Sequence, residues 1–145
     1  SEIKNSKRMI VGYTAGTFDM LHAGHLNLLK NAKLMCDYLV VGVSTDESVI
    51  KKDKKTVMPF EHRIDLVRSL RYVDSVIPQY DIMDKIEVQA KINFDIMFVG
   101  DDHYNKSPYK ELEKQLKEIG VRTIYFPYSK GVSSTKYKKI INHKS

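Results

Sequence analysis

The residues best suited to chemistry are two histidines three positions apart, His22 and His25, separated by Ala23 and Gly24. They follow a turn that contains Gly16, and a helical pattern begins near His22, so both rings are expected on one side of a helix N-terminus. Backbone N–H groups and the positive end of the helix dipole gather there and attract anions. Gly24 leaves room for a ligand to approach the backbone. The pattern predicts a site for a phosphate group. The histidines would stabilise the negative charge that grows on this phosphate during a reaction.

Two other interpretations of the histidine pair stay open from the residues alone. One ring could cap the helix while the other lies on the surface. Alternatively, Asp19 with His22 and His25 supplies three zinc ligands, although metal-binding histidine pairs on helices are usually four apart. The single cysteine, Cys36, excludes an intrachain disulfide and a multi-cysteine zinc site. The P-loop pattern does not occur, and the glycines after the first predicted strand do not form GxGxxG.

Positive charge is concentrated in the lysine run 51–55 and in the C-terminal residues 136–144. Lysine and arginine number 24 against 18 acidic residues, a formal charge of +6 that favours a polyanionic partner. A phosphorylated small molecule, nucleic acid and an acidic membrane all fit, and so do solvated surface stretches. Basic and aromatic residues do not interleave as in RNA-binding modules. We therefore expect a phosphorylated small molecule, with no nucleic acid and no membrane as partners.

Short apolar segments alternate with helical patterns and must position these residues. Strands are predicted at 9–13, 38–43, 73–77, 96–99 and 121–126, the third of them ending at Pro78. Helices are predicted from His22, from Pro59, around 82–90, from Ser107–Pro108 and over 133–141, with 45–58 as a loop. This alternation predicts an α/β fold, a single Rossmann-like doubly wound five-stranded parallel sheet with helices on both faces.

Ligands of such sheets bind beyond the carboxyl ends of the strands, where the strand order switches. Residues 14–25, 44–55, 100–103 and 128–135 each follow a predicted strand and carry the polar and glycine residues of interest. We therefore expect one site at this edge of the sheet.

Length and composition indicate one globular domain. The 145 residues fit a domain at 9–145 after a flexible N-terminus at 1–8. Apolar residues make up 42% and charged residues 29%, which is unlike a disordered chain. No apolar run reaches the roughly 18 residues of a membrane span, and the polar N-terminus lacks the apolar core of a secretory signal. A cytoplasmic location is expected.

An ordered set of motifs resembles a known family. Gly16-Thr17-Phe18-Asp19 followed by His22-Ala23-Gly24-His25 is similar to the GTFD…HxGH signature of the cytidylyltransferase branch of the HxGH nucleotidyltransferases. The resemblance continues, in the same order, through residues 37–47, 61–63, 71–78 and 100–102. It spans about residues 9 to 140, nearly the whole chain.

The resemblance implies that CTP and a phosphorylated small molecule react to a CDP-linked product and pyrophosphate. The nucleophile is then a phosphate oxygen, already anionic at neutral pH, so no dedicated general base is required. Catalysis can rest on in-line positioning and on stabilising charge at the attacked phosphate. The family also implies a homodimer and Mg²⁺, which bridges phosphate oxygens with few protein ligands, so no metal-binding residue is assigned.

The resemblance also assigns roles to individual residues. Its catalytic positions correspond to His22, His25, Lys54 and Arg71. The histidines would donate hydrogen bonds to the CTP phosphates, and Arg71 would contact CTP or the acceptor. The nucleotide- or phosphate-binding positions are Thr14, Ala15, Gly16, Thr17, Phe18, Asp19, Gly24, Lys52, Gly100, Asp102, Tyr128, Gly131, Ser133, Ser134 and Thr135.

The C-terminal motif departs from the family pattern RTEGIST. Tyr128 replaces its arginine, which removes a bidentate phosphate clamp, and Lys130 offers a point charge instead. His103 and Tyr104 stand where glycerol-phosphate enzymes can carry a tryptophan. Both departures concern the acceptor: glycerol 3-phosphate is the first expectation, and choline phosphate, ethanolamine phosphate and L-glutamine phosphate are alternatives.

Two other functional hypotheses stay open. Related HxGH enzymes use ATP, so adenylyl transfer is an alternative reaction. A nucleotide-binding module without turnover would keep the phosphate site at the helix terminus but would tolerate loss of either histidine. For the cytidylyl reaction, a CDP-activated product would feed synthesis of a surface polymer or a lipid head group.

Overall fold

Five parallel strands form the single sheet of this protein in a computed structural model that describes residues 9–81, 84–100, 104 and 106–127. Within these residues the elements follow in the order β1 (Val11–Gly16), α1 (Ala23–Leu34), β2 (Tyr38–Ser44), α2 (Asp46–Lys51), α3 (Phe60–Arg68), β3 (Ser75–Gln79), α4 (Lys85–Ile92), β4 (Ile96–Gly100), α5 (Tyr109–Glu118) and β5 (Arg122–Phe126). No described helix is long and apolar enough to cross a membrane.

The strand order is β3-β2-β1-β4-β5, which places the topological switch between β1 and β4. All four strand pairs are parallel. Along β4 the buried side chains alternate between two apolar clusters, with Phe98 in one and Met97 in the other. The first cluster contains Leu29 of α1 and Val67 of α3, and the second contains Leu112 of α5. Helices therefore cover both faces, and the predicted fold class is confirmed.

Three local predictions were wrong. Residues 45–58 are not all loop, because the Thr45 hydroxyl accepts a hydrogen bond from the Ser48 amide (3.1 Å) and caps α2. Pro78 does not end the third strand but lies within β3, an edge strand where a missing N–H is tolerated. The helix predicted to begin with a Ser107 cap begins at Tyr109, and no side chain caps it. The segment 1–8 and the predicted helix 133–141 lie outside the described residues.

Arg63 in α3 ties together the loops at the carboxyl edge of the sheet. Its side chain is 0% exposed. Nη1 donates to the carbonyl oxygens of Thr17 (2.8 Å) and Ser44 (2.7 Å), and Nε donates to that of Met58 (3.0 Å). Nη2 donates to Oδ1 of Asp46 (2.7 Å). One buried guanidinium thus fixes the ends of β1 and β2 and the segment before α3 relative to each other.

Replacing this guanidinium should destabilise the fold. We expect Arg63→Met to lower the free energy of unfolding by about 3 kcal/mol, since one buried and two partly buried carbonyl oxygens lose their donor. Arg68→Met is the control: Arg68 lies in the same helix and pairs with Asp65 on the surface, so its loss should cost less than about 1 kcal/mol. Urea unfolding followed by circular dichroism measures both. Equal losses in the two variants would contradict the structural role of Arg63.

Candidate active site

Two adjoining cavities lie at the carboxyl edge of the sheet. The histidine cavity, about 150 Å³, is bordered by His22 and His25 at the start of α1 and by the ends of β1 and β4. The lysine cavity, about 140 Å³, is bordered by Lys52 and Lys54 after α2 and by the end of β1. Both include Ala15, Gly16, Thr17, Lys85 and Tyr109. The cavities therefore form one continuous cleft at the predicted edge.

Most of the predicted site residues that the structure describes border this cleft. The histidine cavity is bordered by Thr14, Ala15, Gly16, Thr17, Phe18, His22, Gly24, His25 and Gly100. The lysine cavity adds Lys52 and Lys54. The predicted residues Asp102, Tyr128, Gly131, Ser133, Ser134 and Thr135 lie outside the described residues.

The two histidines are fixed by reciprocal hydrogen bonds with the helix backbone. His22 is the N-cap of α1, and its Nδ1 accepts from the Gly24 amide at 3.0 Å. His25 is the third helical residue, and its Nδ1 accepts from the His22 amide at 3.2 Å. This is the geometry of a capping box, with histidine at both positions. The capping interpretation of His22 is correct, but the second ring is not a surface group, because it packs 4.1 Å from the first between ring centres.

The same hydrogen bonds set the protonation of the rings. A ring nitrogen that accepts a hydrogen bond carries no proton, so the neutral imidazoles are protonated at Nε2. Burial lowers the pKa of His22. Burial, together with the neighbouring His22, lowers the pKa of His25 to about 4. At neutral pH both rings are therefore neutral Nε2–H donors at a helix N-terminus.

The bend in the turn between β1 and α1 is not made by glycine, although the sequence of the turn contains Gly16. Its left-handed residues are Phe18 (φ 54°) and Met20 (φ 55°), so glycine does not supply the bend. A Cβ on Gly16 would lie 3.1 Å from the Phe18 ring, which explains the small residue there. Phe18 is buried, and its ring centre lies 5.6 Å from that of His25. The phenyl ring thus supports the imidazole from the core side.

Two predicted binding residues use their side chains structurally. The Thr14 hydroxyl donates to the Phe98 carbonyl oxygen (2.9 Å) and joins β1 to β4. The Asp19 carboxylate accepts from the amides of Val57 (2.8 Å) and Met58 (3.0 Å). Asp19 thus anchors the segment before α3 through its two carboxylate oxygens, and its predicted role in nucleotide or phosphate binding stays a prediction.

The structure does not bring Arg71 to the cleft. It precedes β3 by four residues and therefore lies near the amino edge of the sheet, opposite the cavities. Its guanidinium lies over the Tyr72 ring (5.0 Å to the ring centre) and donates to the Tyr72 hydroxyl at 3.0 Å. Arg71 borders neither cavity, and its predicted contact with CTP or the acceptor stays a prediction.

A buried lysine that the sequence pattern did not single out lies between the cavities. Lys85 is the first residue of α4 and only 4% exposed, and it borders both cavities. Its Nζ lies 5.7 Å from the centre of the Tyr109 ring. Burial, and then the nearby charge of Lys52, lower the pKa of Lys85 to about 7. A lysine in the first turn of a helix normally faces solvent, so only the tertiary structure reveals this one.

The charges of the cleft suit an anion. Lys52, Lys54 and Lys85 surround the lysine cavity, and the N-terminus of α1 faces the histidine cavity. Among the described residues, no three histidine, cysteine, aspartate or glutamate side chains gather as a metal ion requires. The zinc interpretation lacks a third ligand among these residues, since the Asp19 carboxylate accepts from two backbone amides. The cleft can hold and polarise a polyphosphate.

The depressed pKa of His25 predicts acid-sensitive stability. Between its ordinary value of 6.5 and the folded value of about 4, the unfolded chain binds a proton that the folded chain excludes. Stability should therefore fall as pH drops through this window, by at most about 3 kcal/mol and by less because the ring is partly exposed. Unfolding by urea at several pH values measures the fall.

His25→Gln should flatten that pH profile. Glutamine at the third helical position can keep the capping-box hydrogen bond but does not titrate. His62→Gln is the control, since His62 is exposed on α3 and should leave the profile unchanged. Coincident profiles for His25→Gln and the parent protein would contradict the assignment.

Known proteins are similar to this chain over the region that contains the residues of the cleft. A family model described as cytidylyltransferase-like matches residues 13–140. Glycerol-3-phosphate cytidylyltransferase of Bacillus subtilis (strain 168) is 41% identical over 128 residues, 88% of this chain and 94% of the relative. FAD synthase of Thermococcus kodakarensis (strain ATCC BAA-918 / JCM 12380 / KOD1) is 34% identical over 143 residues, 97% of this chain and 93% of the relative.

A solved structure extends the likeness to three dimensions. The lipopolysaccharide core biosynthesis protein from Thermoplasma volcanium GSS1 has a TM-score of 0.69 at 28% identity, covering 83% of this chain and 97% of that chain. The family match begins within β1 and takes in both histidines, Lys52, Lys54 and β4, which border the cleft. With the parallel sheet and this match over most of its length, the chain belongs to the cytidylyltransferase-like family.

Proposed function

We propose that this protein transfers CMP from CTP to glycerol 3-phosphate and releases pyrophosphate. The observation that carries the proposal is the pair of neutral Nε2–H donors, His22 and His25, held by backbone hydrogen bonds at a helix N-terminus beside a lysine-lined cavity. The choice of nucleotide and acceptor rests on the 41% identity to an enzyme named for that reaction over nearly the full length of both chains.

The chemistry needs few groups from the protein. An oxygen of the acceptor phosphate attacks the α-phosphorus of CTP and forms a new P–O bond. The bond from that phosphorus to the bridging oxygen breaks, and pyrophosphate leaves with the electron pair. Because the acceptor phosphate is already anionic, no proton has to be removed first. The barrier is lowered by alignment and by stabilising negative charge on the α-phosphate and the leaving group.

The two histidines can stabilise this negative charge because their rings are neutral N–H donors. A neutral imidazole donates from Nε2 without a change of protonation during the reaction, and its Nδ1 is anchored to the helix. Donors fixed in advance stabilise developing charge more effectively than mobile ones. We assign His22 and His25 to the phosphates of CTP, and Lys52 and Lys54 to neutralisation of phosphate charge. Gly16 and Thr17 border both cavities.

Mg²⁺ belongs to the proposal as a companion of the nucleotide. The described side chains that line the cleft include three lysines and two histidines but no carboxylate, and the oxygen of the one carboxamide, Gln79, accepts from the Tyr13 hydroxyl, so this lining suits an anion better than a cation. These residues therefore do not form a cage for the ion, and it would be held by the oxygens of the triphosphate. When bound in this way it would supply further neutralisation of phosphate charge.

The remaining expectations from the family complete the proposal. They are a homodimer, a cytoplasmic location and use of the CDP-linked product in the synthesis of a surface polymer. The predicted roles of Asp102, Tyr128, Gly131, Ser133, Ser134 and Thr135 in nucleotide binding also stay predictions.

A second candidate is transfer of AMP from ATP, favoured by the 34% identity to an FAD synthase over 97% of this chain. Pyrophosphate release distinguishes the two: each of the four nucleoside triphosphates is tested with Mg²⁺ and either glycerol 3-phosphate, choline phosphate, ethanolamine phosphate, L-glutamine phosphate or flavin mononucleotide. Release with CTP and glycerol 3-phosphate supports the first proposal. Release with ATP and flavin mononucleotide supports the second, and nucleotide binding without release supports a module without turnover.

Loss of one imidazole should reduce turnover without unfolding the helix. We expect His22→Asn to lower kcat about 100- to 1,000-fold, because a donor to the reacting phosphate is removed. Asparagine is a strong N-cap, so the thermal midpoint should change little. His62→Asn, on the exposed face of α3, is the control and should keep parental kcat. A fully active His22→Asn variant would rule out catalysis by this ring.

A further inference from the structure

Lys85 is a buried cation at the junction of the two cavities. It is 4% exposed, and it is among the few residues that border the histidine cavity and the lysine cavity together. Its nearest described aromatic neighbour is Tyr109, over whose ring the ammonium lies at 5.7 Å. In the part of the chain that the structure describes, Lys85 forms no ion pair, in contrast to Arg63 with its carboxylate and three carbonyl partners.

Such a cation is costly for the fold alone. Burial disfavours its charged form, and Lys52 repels it, while Asp81 and Asp84 attract it; the balance lowers the pKa of Lys85 to about 7. A methionine of similar length would fill the space without that penalty. An anion bound at the junction would favour the charged form of Lys85, since its attraction to the ammonium is strong where water is excluded.

We propose that Lys85 binds the phosphate of the acceptor at this junction, and that the lysine cavity selects acceptors whose head group carries no positive charge. This inference rests on the proposed cytidylyl transfer. In-line displacement requires the nucleophile on the side of the α-phosphorus opposite the leaving pyrophosphate. With pyrophosphate at the N-terminus of α1, the acceptor phosphate enters from the lysine cavity, and Lys85 lies where the two meet.

The composition of the lysine cavity supports the selection by charge. Its described charged residues are three lysines, and its other described polar residues, Thr17, Ser44, Gln79 and Tyr109, are neutral. Recognition of an ammonium head group needs a carboxylate or several aromatic faces, and Tyr109 is the one aromatic ring among the described lining residues. A choline or ethanolamine group would therefore face like charges, whereas a polyol phosphate would not.

The variant Lys85→Met distinguishes binding of the acceptor phosphate by Lys85 from a structural role of this residue. At saturating CTP we expect the KM for glycerol 3-phosphate to rise about 10- to 100-fold, as for a lost charged hydrogen bond. The KM for CTP should change less than about twofold, and the thermal midpoint should stay or rise, since an unfavourable buried charge is removed. Lys85→Arg, which keeps the charge, should recover part of the acceptor affinity. Lys91→Gln, exposed in the same helix, is the control.

The outcomes distinguish this inference from the proposed function. An unchanged acceptor KM in Lys85→Met, an effect on the KM for CTP alone, or a lowered midpoint with all constants impaired would each overturn the role of Lys85. The parent protein should also prefer glycerol 3-phosphate to ethanolamine phosphate by about 100-fold or more in kcat/KM. Preference for ethanolamine phosphate would overturn the selection by charge. No turnover of CTP by the parent protein with any acceptor would instead overturn the proposed function.

Discussion

The buried guanidinium of Arg63 is the constraint on which the cleft depends. A parallel sheet leaves the loops at its carboxyl edge without mutual hydrogen bonds, and here one side chain joins three of them. The planar fork of arginine suits this task because it presents several donors in fixed directions. Its charge is balanced by Asp46, which also accepts from the Phe60 amide at 3.2 Å and so holds the start of α3. The Thr17 backbone and the lysine loop are therefore positioned before any ligand arrives.

Arg63 and Lys85, the two buried cations among the described residues, illustrate opposite uses of the same physics. Arg63 donates hydrogen bonds to three carbonyl oxygens and one carboxylate, so its charge is used to stabilise the folded chain. Lys85 lies over the Tyr109 ring and is repelled by Lys52, and the attraction of Asp81 and Asp84 balances its charge only in part, so that charge gains most from an anion that enters the cleft. Burial alone does not indicate function; the presence or absence of a partner around the buried charge does.

Much of the fold follows from sequence pattern because its driving forces are local or periodic. The nearly all-apolar β2 indicates a strand buried on both faces, and His22 at the start of a helical pattern indicates a cap. Tertiary effects account for the errors. Pro78 is tolerated because β3 is at an edge, and Lys85 is buried because α5 places Tyr109 over it. Arg71 belongs to a motif similar to the family's, yet the direction of β3 places it at the other edge of the sheet.

Neutral histidines within a positive cleft resolve a conflict between binding and turnover. If the rings were charged as well as the lysines, polyphosphate would bind more tightly in every state, including the product complex, and uniform binding does not raise kcat. In the proposed reaction, neutral Nε2–H donors would interact moderately with a resting triphosphate and more strongly as charge develops on the oxygens that they contact. The capping box maintains this neutrality, because each Nδ1 is occupied as an acceptor and protonation would break a backbone hydrogen bond. The start of α1 thus supplies the anion site, the ring orientation and the protonation state through one local hydrogen-bond pattern.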